Sequence, residues 1–399
     1  MNLHAALELG TTRTVLAIGE TTSNGRLKIL CHSEIPSSGV RKSKVLDINQ
    51  ATQSIRAVLH DIQKKQDAIG SRLTICNVFL LVSGQHVRVD PAIGTAPVED
   101  AKVGDAEIDE VIRSSRQQAL AKDRLLLDII DQDYIIDNLG GISTPKGMSG
   151  SILRLNTLQI HADRNRIQDA RTAIENARLE IRDPLFATSC AAEAVLEDHE
   201  KKNGVLVLDL GGGSTGYAVY SDGYLKSAGV VGVGGDHVTN DIAHAFQTTN
   251  AQAEQLKTCE ASALVGSYTT ENARVKVVGS SALMENRTIS RRALDTVVNV
   301  RLKELLSIIR DTLEEQDLLH RLHAGVVLTG GGANMRDIDA LIQQELSYNV
   351  RMGRPIHVDG LENETSPWSY AAIAGALLYA HVNYDTESPF HGLIRRFFK

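Results

Sequence analysis

The feature that most constrains the fold is a turn pattern that occurs twice, about half a chain apart. Residues 205–220 contain an apolar run, an acid (Asp209), one apolar residue, a glycine-rich turn and a second apolar run. Residues 5–19 repeat this order around Glu8, with a Thr-rich turn. Apolar runs of this kind are typical of buried strands, and the glycines indicate turns. The repetition predicts an internally duplicated α/β fold.

The turn after Asp209 has the composition of a phosphate-binding loop. Its three glycines allow backbone N–H groups to approach a ligand closely, and Ser214 and Thr215 add hydroxyl donors. The Asp209 carboxylate is suited to hold Mg²⁺ through water, because this ion usually keeps part of its hydration shell. A tight β-hairpin with a structural Asp is the alternative for this stretch alone. The second copy of the pattern favours a nucleotide held between two halves.

A third glycine turn, at residues 326–335, again follows an apolar run and precedes a helical pattern. Gly at this position lets the backbone pack flat against a ring system such as a nucleoside. Three such turns therefore predict sites for both ends of a nucleotide.

These three turns, in this order, resemble the two phosphate loops and the adenosine loop of the actin, Hsp70 and sugar-kinase superfamily. Residues 83–86, 147–150 and 233–243 resemble motifs of the FtsA family of bacterial cell-division proteins within it. The resemblance covers nearly the whole chain. It implies an α/β, duplicated actin-like (ribonuclease-H-like) fold with a nucleotide cleft between the halves, a small inserted α+β subdomain and a C-terminal amphipathic helix.

The resemblance also implies the division of the chain into domains. The implied units are an actin-like subdomain 1A (1–83 and 167–190), an inserted subdomain 1C (84–166), actin-like subdomains 2A and 2B (191–383), a short linker (384–388) and a membrane-targeting helix (389–399).

By the same resemblance, ATP and Mg²⁺ bind between the halves. The residues assigned to the phosphates are Gly10, Thr11, Thr12, Arg13, Gly211, Gly212, Gly213, Ser214 and Thr215, with Gly235 at the nearby helix start. Glu254 and Lys257 are assigned to the ribose, although an ordinary surface ion pair is the alternative. The residues assigned to the nucleoside are Gly330, Gly331, Gly332, Ala333 and Met335. Asp209 and Glu8 are assigned to the hydrated metal.

Two positions depart from the superfamily pattern. Glu8 stands where an Asp is usual, and its extra methylene shifts or weakens the metal site. Thr188 stands where the superfamily often places the Glu or Gln that positions the attacking water. Because a hydroxyl cannot act as a carboxylate base at neutral pH, we expect a weak or slow ATPase at most.

Several helices are predicted along the chain. Asp47 as an N-cap and the apolar spacing after it predict an amphipathic helix. Other helices are expected at residues 105–122 and 164–177, and a long one at 290–315. The charged residues 197–202 are most simply a solvated turn. The long helix carries Arg291, Arg292, Arg301 and Lys303, and the resemblance implies that it receives the C-terminal tail of FtsZ. A solvated basic face is the alternative.

The last eleven residues have the pattern of an interfacial helix. Their apolar residues, at helical spacing, are Phe390, Leu393, Ile394, Phe397 and Phe398, and Arg395, Arg396 and Lys399 lie off this stripe. Such a helix is too short to cross a bilayer and is suited to lie in its interface. A terminal helix docked on the core of the protein is the alternative.

Composition excludes other classes. The net charge of −7 argues against general nucleic-acid binding. The four cysteines have no Cys-x-x-Cys spacing, which argues against a zinc site and favours a reducing cytosol. The N-terminus lacks a basic segment followed by an apolar core, so we expect no signal peptide.

The sequence therefore predicts an actin-like, ATP-binding cell-division protein that polymerises and tethers FtsZ filaments. We expect it at the cytoplasmic face of the membrane, at the division site, with other division proteins as partners. A PilM-like actin-fold scaffold of pilus assembly is the main alternative, and a turning-over ATPase such as a chaperone or sugar kinase is another.

Overall fold

A computed structural model gives the architecture, and it describes residues 3–22, 26–68, 73–118, 120–266, 273–277 and 287–384. Its strands are β1 (Leu3–Leu9), β2 (Arg13–Thr21), β3 (Leu27–Pro36), β4 (Val40–Arg41), β5 (Lys44–Val45), β6 (Asn77–Val82), β7 (Arg88–Pro97), β8 (Arg124–Ile136), β9 (Leu139–Ile142), β10 (Ile152–Asp163), β11 (Glu180–Phe186), β12 (Val205–Leu210), β13 (Thr215–Ser221), β14 (Tyr224–Val231), β15 (Arg274–Val277), β16 (Arg287–Ser290), β17 (Gly325–Thr329), β18 (Val350–Met352) and β19 (Val358–Asp359). Its helices are α1 (Ile48–Ala68), α2 (Asp105–Arg116), α3 (Arg164–Asn176), α4 (Ala187–Val195), α5 (Asp198–Asn203), α6 (Gly235–Ala245), α7 (Asn250–Gln255), α8 (Arg291–Glu315), α9 (Ile338–Leu346) and α10 (Ala371–Tyr384).

The two main sheets have the same core topology, which confirms the predicted duplication. The first runs β11-β6-β1-β2-β3-β19 and the second β14-β13-β12-β17-β18. In each, a strand pairs antiparallel with the strand that follows its turn and parallel with a strand from later in the chain. Strands β1 and β12 therefore occupy equivalent central positions, and both end at the same edge as their parallel neighbours.

The two sheets share a core that contains helices α4 and α10. Along β12, Val205 and Val207 face this shared core, whereas Leu206 and Leu208 face a second core under α6, α8 and α9. This alternation is the period of two expected for a strand buried on both faces. Helices α4 and α10 approach closely, since a Cβ atom at Gly375 would clash with the carbonyl oxygen of Cys190.

The inserted region forms a unit of its own. Strands β7, β10, β8 and β9 make an antiparallel sheet, and α2 packs on it around the small third core. Strand β8 is much longer than the short strand predicted near residues 133–136, and α2 ends at Arg116, before the predicted residue 122. The boundaries of the subdomains themselves stay predictions.

The predicted solvated turn at residues 197–202 is wrong, because most of this segment is helix α5. The side chain of Glu200 is only 8% exposed and receives two hydrogen bonds from Arg351, at 2.5 and 2.7 Å. Its carboxylate also accepts from the Glu197 backbone N–H at 2.9 Å. Glu200, one acid of this charged segment, thus links α5 to β18 through its ion pair with Arg351.

The predicted amphipathic helix at 389–399 lies outside the described residues. Among the helices that are described, none combines the length and the apolar character that a membrane span requires.

Candidate functional site

A cavity of about 280 Å³ lies between the two sheets, at the ends of β1, β12 and β17. Its wall contains most residues predicted to bind nucleotide, drawn from all three glycine turns. Thr215 and Ala333 are the exceptions. Thr215 is fully buried as the first residue of β13, where its hydroxyl donates to the Val233 carbonyl at 2.8 Å, and Ala333 packs in the second core.

The first two turns have the same construction. Gly10 N–H donates to the Arg13 carbonyl at 3.0 Å, and Gly211 N–H donates to the Ser214 carbonyl at 3.0 Å. The turns also touch each other, since Cβ atoms at Gly212 and Gly213 would clash with the hydroxyls of Thr12 and Thr11. Glycine is therefore required by close approach at both positions, and the two loops meet across the cleft.

Glu8 and Asp209 lie at equivalent positions, each one residue before the end of its strand. Burial raises the pKa of both carboxyls, and that of Asp209 rises to about 7 because the negative charge of Glu8 adds to the effect. The Arg13 cation opposes both shifts. Two neighbouring acids that repel each other in one cavity wall provide the hard oxygen ligands that Mg²⁺ takes.

Arg13 is held by contacts that its position in the phosphate turn does not suggest. Its guanidinium donates to the Glu34 carboxylate and to the Ser369 carbonyl, and it lies over the Tyr370 ring at 5.1 Å. It therefore connects the first turn to the start of α10, while still lining the cavity.

The first residues of helix α6 form backbone hydrogen bonds with the second turn. Gly235 and Asp236 donate their backbone N–H groups to the carbonyls of Gly211 and Gly212, at 3.0 and 2.8 Å. These two amides are thus already satisfied within the chain. Gly235 still lines the cavity, and its carbonyl accepts from Lys257 Nζ at 3.2 Å.

Glu254 and Lys257 form the predicted pair, with Lys257 Nζ 2.6 Å from Glu254 Oε2. Thr239 completes the cluster, since its hydroxyl lies 2.9 Å from Lys257 Nζ. Helix α7 ends between the two residues and continues as a π-helical turn, Leu256–Glu260, that carries Lys257. Such turns occur frequently at functional sites.

The third turn packs beside Asp209. Gly330 has a φ of +84°, and a Cβ atom there would lie 2.5 Å from Asp209 Oδ1, so both its conformation and its surroundings require glycine. Beyond it, Trp368 Nε1 donates to Asn334 Oδ1 at 3.0 Å, and both residues line the cavity. Sequence reasoning missed Trp368 as a site residue, whereas Asn334 lies within the third turn that it assigned to the nucleoside.

Comparisons with known proteins agree with this architecture. Residues 206–375 match the family described as "Cell division protein FtsA", and residues 84–161 match the "SHS2 domain inserted in FTSA". The cell-division protein FtsA of Pseudomonas aeruginosa is 32% identical over 376 residues, covering 94% of this chain and 88% of that protein. This chain belongs to the FtsA family of cell-division proteins. FtsA of Escherichia coli K12 is 29% identical over 398 residues, covering 96% of this chain and 92% of that protein.

Solved structures show that the fold of this FtsA-family chain is actin-like. A PilM–PilN type IV pilus biogenesis complex superposes with a TM-score of 0.64 at 18% identity, covering 94% of this chain and 97% of that one. MreB5 of Spiroplasma citri bound to ADP superposes with a TM-score of 0.55 at 13% identity, covering 99% and 98%. At such identities the likeness concerns the fold alone.

In this FtsA-family chain, Thr188 lies in the cavity wall with Glu8 and Asp209. It is 1% exposed, and a Cβ atom at Gly216 would clash with its hydroxyl. Gly216 is the register partner of Asp209. The residue is therefore packed in place beside the site and offers no carboxylate there.

The basic residues predicted on α8 are mostly paired within the chain. Arg291 pairs with Glu260, Arg301 with Asp241 and Glu304, and Lys303 with Glu345. The side chain of Arg292 is exposed and forms no hydrogen bond or ion pair with the described residues. An acidic partner would meet a face whose positive charges are already largely neutralised, which sequence periodicity does not reveal.

Proposed function

We propose that this FtsA-family protein binds ATP with Mg²⁺ in the cleft and tethers FtsZ filaments to the cytoplasmic face of the membrane at the division site. The observation that carries the nucleotide part is the convergence of three glycine turns and two acids on one cavity. The similarity to an MreB5 protein that is bound to ADP supports it.

Each part of the nucleotide has matching groups in the wall. The two contacting turns, around Gly10 and Gly211, hold the phosphates, Glu254 and Lys257 hold the ribose, and the turn from Gly330 packs on the base. Glu8 and Asp209 hold the hydrated Mg²⁺, whose charge offsets their repulsion and screens the phosphates. Because Thr188 supplies no base, the nucleotide acts chiefly as a ligand for conformation and polymerisation rather than as a rapidly consumed substrate.

The membrane part rests on residues 389–399. Burying each large apolar side chain contributes at most about 1.5–3 kcal/mol, and each basic residue near anionic lipid adds about 1 kcal/mol. Fixing the segment in a single conformation on the membrane opposes both contributions. A single copy therefore binds reversibly, whereas a polymer that links many copies binds tightly through effective concentration. Polymerisation and membrane attachment reinforce each other.

The FtsZ part rests on family membership and on α8. The acidic, apolar tail of FtsZ meets this helix, where Arg292 supplies an exposed charge and the ion pairs of Arg291, Arg301 and Lys303 can exchange partners. Because these cations are paired, we place more of the binding free energy in apolar contacts than in charge.

The test is co-sedimentation with anionic lipid vesicles and FtsZ, with and without ATP. The intact chain is compared with a chain ending at Ser388, and with Phe397→Ser as a single change in the apolar stripe. We expect the intact chain to carry FtsZ to the vesicles, more so with ATP, and both variants to leave FtsZ in solution. Equal sedimentation of the intact and shortened chains would refute the tether and favour a PilM-like scaffold.

A further inference from the structure

A short hairpin of the first half, β4–β5, lies over the phosphate turns. Lys42 and Ser43 connect its strands with positive φ values of 49° and 56°. A two-residue turn with both values positive strongly favours Asn and Gly, and it strains other residues. Lys42 and Ser43 thus place two polar residues in a turn conformation that glycine would adopt without strain.

The tip of this hairpin touches both phosphate turns. Ser43 N–H donates to the Thr11 hydroxyl at 2.9 Å, and the Ser43 hydroxyl lies 3.2 Å from the Ser214 hydroxyl. A Cβ atom at Gly213 would lie 2.9 Å from Lys42 Cα. Ser43 also lines the cavity. The hairpin is therefore a third element at the phosphate end of the cleft.

Lys42 is an exposed cation that forms no hydrogen bond or ion pair with the described residues. Burial lowers the pKa of His237 in α6, and the positive charge of Lys42 lowers it further, which places that charge near the second turn. The two cations in the described cavity wall, Arg13 and Lys257, are instead held by Glu34 and Glu254. Lys42 thus has a charge available for a ligand.

The order of the turns indicates which phosphate Lys42 faces. The nucleoside turn packs against the start of the second phosphate turn, since a Cβ atom at Gly332 would lie 2.8 Å from Leu210 Cβ. The hairpin contacts the far side of that turn, at Gly213 and Ser214. A nucleotide with its base at Gly332 and its phosphates along the turn places its last phosphate nearest the hairpin.

We propose that Lys42 binds the terminal phosphate of a nucleoside triphosphate, so that the β4–β5 hairpin distinguishes a triphosphate from a diphosphate. This inference rests on the proposed nucleotide binding. A lysine ammonium on a flexible stem acts as a point charge and is a common phosphate ligand. Because the contact needs the third phosphate, it adds affinity for triphosphates alone.

The test is calorimetric titration of the full chain with Mg²⁺–ADP and with Mg²⁺ and a non-hydrolysable ATP analogue. We expect Lys42→Gln to weaken the analogue about tenfold or more, since hydrogen bonds to charged groups are the stronger ones, and to change ADP affinity less than about twofold. Lys42→Arg keeps the charge and should retain most of the preference. All variants should unfold at the wild-type temperature, because Lys42 is exposed.

Lys44→Gln is the matched control. It removes one positive charge from the same hairpin, but the charge of Lys44 acts on His86 at the start of the inserted region. Equal losses in Lys42→Gln and Lys44→Gln, or equal losses of both ligands, would show a general electrostatic effect and overturn the inference. If Lys42→Gln bound the ATP analogue as tightly as the wild type does, the role of Lys42 would be overturned, but the proposed nucleotide binding would stand. A wild-type chain that binds neither ligand would overturn the proposed nucleotide binding as well.

Discussion

At the residue scale, the chemistry of the cleft depends on two neighbouring carboxylates. Glu8 and Asp209 repel each other, and burial raises the pKa of each. Arg13 is the cation that offsets this repulsion in the protein alone, and Glu34 already engages it. The site is therefore under electrostatic strain. We propose that a divalent cation bound with a triphosphate relieves it, which would couple binding to stability.

Asp209→Asn should consequently raise the stability of the ligand-free protein while it weakens nucleotide binding. The amide has the same shape and removes a poorly compensated charge, so we expect the protein without ligand to gain about 1–2 kcal/mol of unfolding free energy. Binding of Mg²⁺–ATP should weaken about tenfold or more. Urea unfolding and calorimetry measure the two effects. Asp222→Asn, in an exposed turn, is the control and should change neither, whereas a loss of stability in Asp209→Asn would contradict this account.

A site residue can be predicted from sequence when the pattern that identifies it lies within a few neighbouring residues. Glu8 and Asp209 are recognisable because strand, acid and turn are contiguous in the sequence. The partners of Arg13 are not, since Glu34 follows by 21 residues and Ser369 by 356. Trp368 likewise reaches the cleft only because α10 returns to the first sheet. Sequence reasoning finds the turns and misses what tertiary packing brings to them.

At the element scale, helix α5 shows how a charged run can be structural. Its prediction as a solvated turn failed because the partner of Glu200, Arg351, lies 151 residues away. The predicted N-cap Asp47 does accept a backbone hydrogen bond, from Gln50 N–H at 3.0 Å, and α1 begins at the next residue. Local caps can be found from sequence, whereas distant ion pairs cannot.

Arg351→Ala should destabilise the protein by about 2 kcal/mol at neutral pH, a value reduced from that of a fully buried pair because Arg351 is partly exposed. Burial raises the pKa of Glu200, but the hydrogen bonds and charge of Arg351 outweigh this and lower it. The pair thus contributes above the usual Glu range, and its contribution is lost as the pH falls through the lowered pKa. The difference in unfolding free energy between wild type and variant, measured with urea, should become smaller at acidic pH. Arg113→Ala, at an exposed pair, should have little effect, and an equal effect at both sites would contradict the assignment.

The connecting helices α4 and α10 depend on glycine for their close approach. Gly→Ala in a helix usually stabilises by up to about 1 kcal/mol. At Gly375 we expect the opposite sign, a loss of about 1–3 kcal/mol, because the added methyl group meets the Cys190 carbonyl. Thermal unfolding of Gly375→Ala measures this. A gain in stability would show that the two helices are less tightly packed than described.

At the scale of the whole molecule, the duplicated topology places the cleft. The two sheets have equivalent order, and the turns that follow their central strands, β1 and β12, meet in one cavity. The inserted region adds its own sheet and core, and none of its described residues lines the cavity. In the proposed complex, nucleotide contacts would come from both halves, so that binding would report on how the halves are arranged.

The most direct measurement is equilibrium binding of Mg²⁺–ATP to the intact chain, followed by the fluorescence of Trp368. This is the only Trp of the chain, and it lines the cavity. The account predicts saturable binding to one site, with a change in the emission of Trp368 and saturation below millimolar nucleotide. No binding, by fluorescence or by calorimetry, at millimolar Mg²⁺–ATP would contradict it.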